Sequence, residues 1–430
     1  MGGSGRVPCR LLDGFAPGSR VPVHFIDYSP YFGRPGIYNE DGQGYPDNGE
    51  RFVFLSRAGL EFCRATGFRP DLIHVHDWHT AAVPVLLDTA YRDDPVLGDA
   101  ASLLTLHNLS QQGIFDKRLM DVLDIGWEPF RICGLEFHDR VNLLKGGIYH
   151  ATLLNTVSPS YAREILQPEF ALGIEGAIRD RKADLSGILN GADYEEWNPE
   201  TDTRIAANYS ERRLSGKTLC KEDLQRSLGL PVKPDVPLLG MVSRLVGQKG
   251  IDLIAGAAHR ILELDVQIAL LGSGEPWAHA FFEDLARELP DRFACRIGHD
   301  EALAHRIIAG ADFFLMPSRF EPCGLTQMYA MRYGTLPIVR ATGGLDDTVE
   351  DIDEATLAGT GFKFRDATAE ALLGAVGRAA HMFRNNRAAL AGAMRAAMAK
   401  RFTWAEAAER YEGLYAEAAK RREKMRRETA

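Results

Sequence analysis

The second half of this 430-residue chain alternates short apolar runs with helix-period stretches, and that alternation constrains the fold more than any other feature. Strand-like runs fall at 236–242, 266–271, 311–316 and 335–339, and helical stretches lie near 250–264, 276–289, 300–309 and 323–333. A strand–helix–strand repeat of this kind predicts a parallel sheet with helices on both faces. Such sheets bind ligands beyond the carboxyl ends of their strands, at the point where strand order reverses. The loops that follow these strands are therefore where chemistry is sought.

The first half is less regular. Residues 21–27, 71–76, 101–106 and 152–157 read as strands, 50–66 and about 79–90 as helices, and 29–48 as loop. Ser158-Pro159 is a helix-start signal, and the first twenty residues show no clear period. The length exceeds what one core organises, and the polar, turn-rich stretch 190–199 supplies a boundary. The expected organisation is an amino-terminal domain at 1–190, a carboxyl-terminal domain at 191–401 and a final helical segment at 402–430. The basic run from Lys420 to Arg427 reads as a solvated helix end.

A formal charge of −9 argues against a non-specific grip on nucleic acid or anionic membrane. No apolar run is long enough to span a bilayer, and the glycine-rich start has no signal-peptide core, so a cytoplasmic location is expected. The six cysteines are irregularly spaced and form no C-x-x-C pair, which suits reduced thiols better than a disulfide framework or zinc site.

Four strings carry candidate chemistry. Ser243-Arg244-Leu245-Val246-Gly247-Gln248-Lys249-Gly250 follows a strand; its two cations are either solvated or a clamp for a diphosphate. In Phe320-Glu321-Pro322-Cys323-Gly324-Leu325-Thr326, Pro322 suits a helix start, and the N–H groups of Leu325 and Thr326 would fall in the first turn, where anions bind. Glu321 is then either a capping acid or a group facing sugar hydroxyls. Gly272-Ser273-Gly274 is a G-x-G turn without the rest of a dinucleotide fingerprint, open to either a phosphate or a packing role. His74, His76, Asp77 and His79 end one strand and His107-Asn108 another; strand alternation puts His74 and His76 on one face, but too few ligands converge for zinc. Asp351-Ile352-Asp353 has D-x-D spacing, yet reads as an acidic surface turn. No G-x-S-x-G, P-loop or H-E-x-x-H occurs, which weighs against those hydrolase classes.

Taken in order, these strings resemble the bacterial glycogen synthase and plant starch synthase family. The match includes His76-Asp77-Trp78-His79, Thr105-Leu106-His107-Asn108-Leu109, Gly134-Leu135-Glu136-Phe137, Ile188-Leu189-Asn190-Gly191, the 243–250 string, the 317–327 string and Thr342-Gly343-Gly344-Leu345. The resemblance implies an α/β fold of two Rossmann-like domains facing a cleft, the GT-B architecture, with the last helix, from Phe402-Thr403-Trp404, returning to the first domain. It implies transfer of glucose from ADP-glucose, or UDP-glucose, to the non-reducing end of an α-1,4-glucan, with retention and without metal or other cofactor. By the same resemblance Arg244 and Lys249 hold the diphosphate, Glu321 lies by the glucose ring, and Gly324, Leu325 and Thr326 bind through backbone N–H groups. His107 contacts the reacting sugar, Asp77 and Asn190 line its pocket, and Gly272 and His299 belong to the nucleotide-sugar site, His299 standing where many relatives stack an aromatic ring on the base.

One departure concerns the amino terminus. The family's opening strand and its Lys-x-Gly-Gly-Leu loop have no counterpart before residue 21, so an incomplete first domain is expected. An impaired nucleotide- or glucan-binding relative, or a transferase with another acceptor, are the alternative readings at this stage.

Overall fold

The computed structural model describes residues 7–40 and 42–429, and the chain divides into two units. The first comprises Met1–Thr156, Glu164–Ser186 and Arg410–Ala430; the second comprises Val157–Arg163 and Gly187–Glu409. The chain passes from one to the other at Ser186–Gly187, just before the turn-rich stretch that marks the sequence. The final helix, Trp404–Thr429, is counted with the first unit from Arg410 onward.

The second unit is a six-stranded sheet in the order Phe293–Ile297, Gln267–Gly272, Leu238–Val242, Phe313–Met316, Leu336–Arg340, Phe362–Phe364. Every pairing in it is parallel. Numbered within the unit, the order is 3-2-1-4-5-6, the doubly wound Rossmann arrangement, and it reverses between Leu238–Val242 and Phe313–Met316. The period-two alternation of strands sorts the core into two layers. Leu239, Met241, Ile268, Leu270, Phe313 and Leu315 pack with helices Ile251–Glu263 and Ala369–Asn385. Leu238, Ala269, Leu271, Phe314 and Met316 pack with helices Ser215–Ser227 and Glu301–Gly310.

The first unit holds a four-stranded sheet in the order Leu185–Gly187, Leu153–Thr156, Ala101–Leu106, Leu72–His76. Leu153–Thr156 and Leu72–His76 both run parallel to Ala101–Leu106. Ala101, Leu103 and Leu153 are covered by Tyr411, Leu414, Tyr415 and Ala418 of the final helix. The expected helix at 79–90 is two pieces, Asp77–Thr80 and Ala82–Asp88.

Two expectations are corrected. Residues 10–15, read as patternless, form a strand; it pairs antiparallel with Pro22–Asp27 in a separate hairpin, Leu12 opposite Phe25. Cross-strand pairs there replace the buried face that would have left a periodic signature. The basic end of the last helix is also not simply solvated. Arg422 is buried and donates to the Gly98 carbonyl at 2.8 Å, Arg421 pairs with Asp184, and Arg426 lies 3.3 Å from Asp99. These three arginines are spent on the unit's own acids and carbonyls, while Lys424 and Arg427 stay largely in solvent. Among the described residues no helix is long and apolar enough to cross a membrane.

Candidate active site

In the second unit two cavities open at the carboxyl ends of the central strands. One, of about 210 Å³, lies at the switch point and is lined by Val242, Arg244, Lys249, Met316, Ser318 and Thr326 among others. The other, of about 250 Å³, shares Val242, Ser243 and Arg244 and adds Gly272, Ser273, Gly298, His299 and Asp300.

Glycines decide how close these loops come. A Cβ at Gly272 would lie 2.0 Å from the Ser243 carbonyl oxygen, and one at Gly274 2.2 Å from that of Leu245. The two loops are then laced by Leu245 N–H to Ser273 O at 2.8 Å and Glu275 N–H to Leu245 O at 2.8 Å. The G-x-G turn therefore packs the 243–250 loop, and Gly272 still lines the second cavity. Gly250, at φ 68°, turns the chain out of the short 3-10 turn Gly247–Lys249, a left-handed conformation that favours glycine.

That turn aims Lys249 at Glu321. Lys249 Nζ lies 2.5 Å from Glu321 Oε2, with the two side chains 18% and 7% exposed. Ser318 Oγ donates to the same oxygen at 2.9 Å. Arg244 is exposed beside them, and its guanidinium donates to Gln248 Oε1 at 3.4 Å.

The Glu321 loop is held from behind. Gly344 N–H donates to Glu321 O at 3.0 Å, and a Cβ at Gly344 would lie 1.9 Å from the Cys323 carbonyl oxygen. Buried Gln327 donates to the carbonyls of Cys323 and Gly324 at 3.1 and 3.0 Å. Helix Thr326–Arg332 starts later than expected: Gly324, at φ 68°, breaks the helical path, so Pro322 stands in the preceding turn and Leu325 is the N-cap. Thr326 lines the first cavity, while Leu325 is exposed. Cys323 is buried, its thiol pushed up to about 12 by that burial, and the Asn190 backbone is hydrogen-bonded to it. Asn190 thus backs the loop. A thiol this reluctant to ionise is no nucleophile.

Replacing Gly344 with alanine forces a methyl against the Cys323 carbonyl, and the loop must shift. The expected cost is about 1–3 kcal/mol, read as a lowered thermal midpoint; an unchanged midpoint would show that the loop gives freely.

In the first unit Asp77 sits at φ 53° and its Oδ1 accepts the His107 N–H at 2.7 Å. Burial raises its carboxyl to about 6 against the backbone hydrogen bonds from His107 and Asn108. His76 Nδ1 and His107 Nε2 are 3.0 Å apart, and His74 is engaged at both nitrogens, by Thr105 Oγ1 at 2.6 Å and Tyr415 OH at 2.9 Å. His74 therefore has no free ring nitrogen for a metal, and the His76 and His107 rings each spend a nitrogen on the other.

Burial pushes His74 and His79 down to about 4 and lowers His76 and His107. Folding thus favours neutral imidazoles: their stabilisation is full above the usual histidine value and is lost as pH falls through the lowered ones. Asp77 runs oppositely, its folded form gaining as pH falls below about 6. Four histidines outweigh one aspartate. The four rings are only partly buried, His76 the least, so solvent screens part of the effect; between pH 7 and 4.5 the unfolding free energy of the first unit should drop by on the order of 1 kcal/mol, and His74→Gln should flatten the slope. A flat profile in urea titrations would refute the neutral, partly buried histidines.

Metal-ligand geometry is also found elsewhere. Ligand atoms of Glu196, Glu301 and His305 lie within 4.8 Å of one another. Asp202 already holds His305 Nδ1 at 2.7 Å, and Arg204 bridges the two glutamates at 3.2 and 3.1 Å, so a guanidinium fills the cation's place. Asp351 and Asp353 are spent locally, Asp351 on Arg378 and the Lys363 N–H, each at 2.7 Å, and Asp353 on the N–H of Thr356 at 2.7 Å.

Of the residues singled out in the sequence, Arg244, Lys249, Glu321, Thr326, Gly272 and His299 gather on the two cavities or their rim, with Gly324 and Leu325 on the Glu321 loop and Asn190 behind it. Asp77 and His107 are joined to each other in the first unit. Ser318 and Gly344, which bond Glu321, and Gln327, which holds the carbonyls of Cys323 and Gly324, were missed; nothing in a Pro-Ser-Arg string announces a buried hydroxyl aimed at an acid three residues on.

Two Rossmann-like units, one with a cation-and-carboxylate pair at its switch point, define a glycosyltransferase of the GT-B architecture. A sequence profile described as starch synthase catalytic domain matches residues 4–180, and one described as glycosyl transferases group 1 matches 236–381. The chain is 58% identical over 422 residues to glycogen synthase 1 of Geobacter sulfurreducens, covering 98% of this chain and 84% of that protein. It is 51% identical over 397 residues to a glycogen synthase of Anaeromyxobacter sp., covering 92% and 83%. Among solved structures, the catalytic domain of starch synthase IV from Arabidopsis thaliana, bound to ADP and acarbose, matches with a TM-score of 0.86 at 37% identity, over 96% of this chain and 85% of that one. A sucrose-phosphate synthase from Thermosynechococcus elongatus, at 21% identity and a TM-score of 0.54 over 91% and 84%, shares the fold. The chain belongs to the glycogen synthase and starch synthase family of glucosyltransferases.

Proposed function

We propose that this chain transfers glucose from ADP-glucose, with UDP-glucose as the alternative donor, to the non-reducing end of an α-1,4-glucan with retention of configuration. The observation that carries the reading is the Lys249–Glu321 pair at the switch point, in a pocket also lined by Arg244.

Arg244 and Lys249 are the cations placed to meet a diphosphate, and holding it strengthens as negative charge grows on the departing nucleotide, which is electrostatic catalysis. The reading needs no metal to neutralise that charge. Thr326 meets phosphate in the same cavity, and His299, beside Gly272, offers a ring for the base in the adjoining one. Glu321 faces the transferred sugar, with Gly324 and Leu325 shaping the loop around it and Asn190 supporting that loop. By family resemblance His107 and Asp77 are assigned to the reacting sugar. A single acid suffices, because this retaining chemistry does not use the paired carboxylates of glycosidases.

The reading is supported by the family and by ADP and acarbose in the starch synthase IV structure. Its test is nucleotide release by the purified chain with glycogen and either donor, assayed in EDTA. Glycogen-dependent release, faster from ADP-glucose, is expected. No release, or release that returns only with added metal, would refute the reading or its metal-free form.

A further inference from the structure

Both contacts to the Glu321 carboxylate go to one oxygen. Oε2 receives Lys249 Nζ at 2.5 Å and Ser318 Oγ at 2.9 Å, and Oε1 receives no hydrogen bond among the described residues. A carboxylate gripped at one oxygen presents the other in a fixed direction. The grip is unequal in kind. Lys249 lines the cavity assigned to the diphosphate, so a bound nucleotide sugar draws its charge toward phosphate and away from Glu321. Ser318 carries no charge for phosphate to compete for.

Ser318 is also built to stay. It is 1% exposed and follows directly on the strand Phe313–Met316 and Pro317. Pro317 is packed where Gly250 allows close approach, since a Cβ at Gly250 would lie 2.1 Å from the Pro317 carbonyl oxygen. The backbone between Ser318 and Glu321 is tied to the neighbouring loop by Arg319 N–H to Gln248 O at 2.9 Å and Gln248 Nε2 to Phe320 O at 3.3 Å. Hydroxyl and carboxylate are therefore fixed three residues apart on one braced segment.

We propose that Ser318 is a positioning residue: it holds Oε2 of Glu321 when the nucleotide sugar engages Lys249, and so keeps Oε1 directed at the transferred glucose. This rests on the transfer reading above. It divides two tasks that Lys249 combines in the free protein, charge for the diphosphate and restraint of the acid. Ser318 carries only the second.

The experiment compares wild type, Ser318→Ala and Ser318→Thr for kcat, KM, ADP affinity and thermal midpoint. A hydrogen bond to a charged group is lost in Ser318→Ala, so kcat should fall about 10- to 100-fold. ADP affinity should stay within about threefold, and the thermal midpoint should fall only modestly, by what one buried hydrogen bond to a carboxylate contributes, leaving the variant folded at the assay temperature. Ser318→Thr, which keeps the hydroxyl, should recover most of kcat. If Ser318→Ala turns over like wild type, or loses ADP affinity in step with kcat, the assignment is overturned; the second result would make Ser318 a nucleotide contact. If Ser318→Thr does not fold, the split between kcat and ADP affinity in Ser318→Ala decides alone. A wild-type chain that binds ADP but transfers nothing overturns the transfer reading itself, and positioning with it; the two failures are separated because only the second appears in the unmutated protein.

Discussion

Glu321→Gln should lose on the order of 10²–10³-fold in kcat while binding ADP as well as wild type or a few-fold better. The rate falls because the group facing the sugar loses its charge. The binding prediction is the less obvious half. In the free protein Lys249 is neutralised by Glu321 at 2.5 Å. Removing that charge leaves a partly buried ammonium beside the diphosphate pocket with nothing to leave behind when ADP arrives. Calorimetric titration with ADP and steady-state rates with ADP-glucose read both quantities. Wild-type turnover would remove Glu321 from the reaction, and a large loss of ADP affinity would place its carboxylate in nucleotide binding instead.

Lys249→Ala should fail in two ways at once. ADP affinity drops about 10- to 100-fold with the loss of a charge-assisted contact, and kcat drops further because the departing nucleotide loses the same cation. The protein is also less stable. Glu321 is 7% exposed, and an unpartnered buried carboxylate costs about 3–5 kcal/mol; Ser318 offsets part of this through its 2.9 Å hydrogen bond. The double variant Lys249→Ala/Glu321→Gln should therefore melt higher than Lys249→Ala alone. A double variant that melts lower would show the pair is not coupled as described. Lys249→Arg should not restore wild-type rates, because a planar fork cannot reproduce the single contact of an ammonium in this turn.

The second unit was the legible part of the sequence because its strands are buried on both faces. Leu238–Val242, Gln267–Gly272, Phe313–Met316 and Leu336–Arg340 are apolar but for Gln267 and Arg340 at two of their ends, and each appeared within a few residues of its place. Phe293–Ile297 and Phe362–Phe364 did not, since they are the sheet's edges and carry Arg296 and Lys363 where a central strand would carry aliphatics. The alanine-rich helices Ala369–Asn385 and Arg387–Ala399 also went unread, because small residues give a weak hydrophobic period. Of the first unit's hairpin, Pro22–Asp27 was legible from its apolar and β-branched residues, while its partner Arg10–Phe15 is mostly exposed and left no burial pattern to read.

Site residues divided along similar lines. Arg244, Lys249 and Glu321 could be found because charged residues on glycine-containing loops after strands are chemically conspicuous. Gly344 and Ser318 could not. Their importance lies in a 1.9 Å approach to another loop, for Gly344, and a 2.9 Å hydrogen bond within one loop, for Ser318, and such distances exist only after folding. The helix start at Thr326 was misplaced for a related reason: a proline at 322 signals a first turn, but Gly324 at φ 68° delays it.

Transfer of glucose to a glucan chain end lengthens the acceptor one unit at a time. It is tested most directly by incubating the purified chain with ADP-glucose and a maltooligosaccharide and resolving the products by length. A ladder of longer oligosaccharides is expected, whose new units an α-1,4-specific exo-amylase removes from the non-reducing end. Free glucose without longer products, or an unchanged oligosaccharide in the presence of folded, ADP-binding protein, would contradict it.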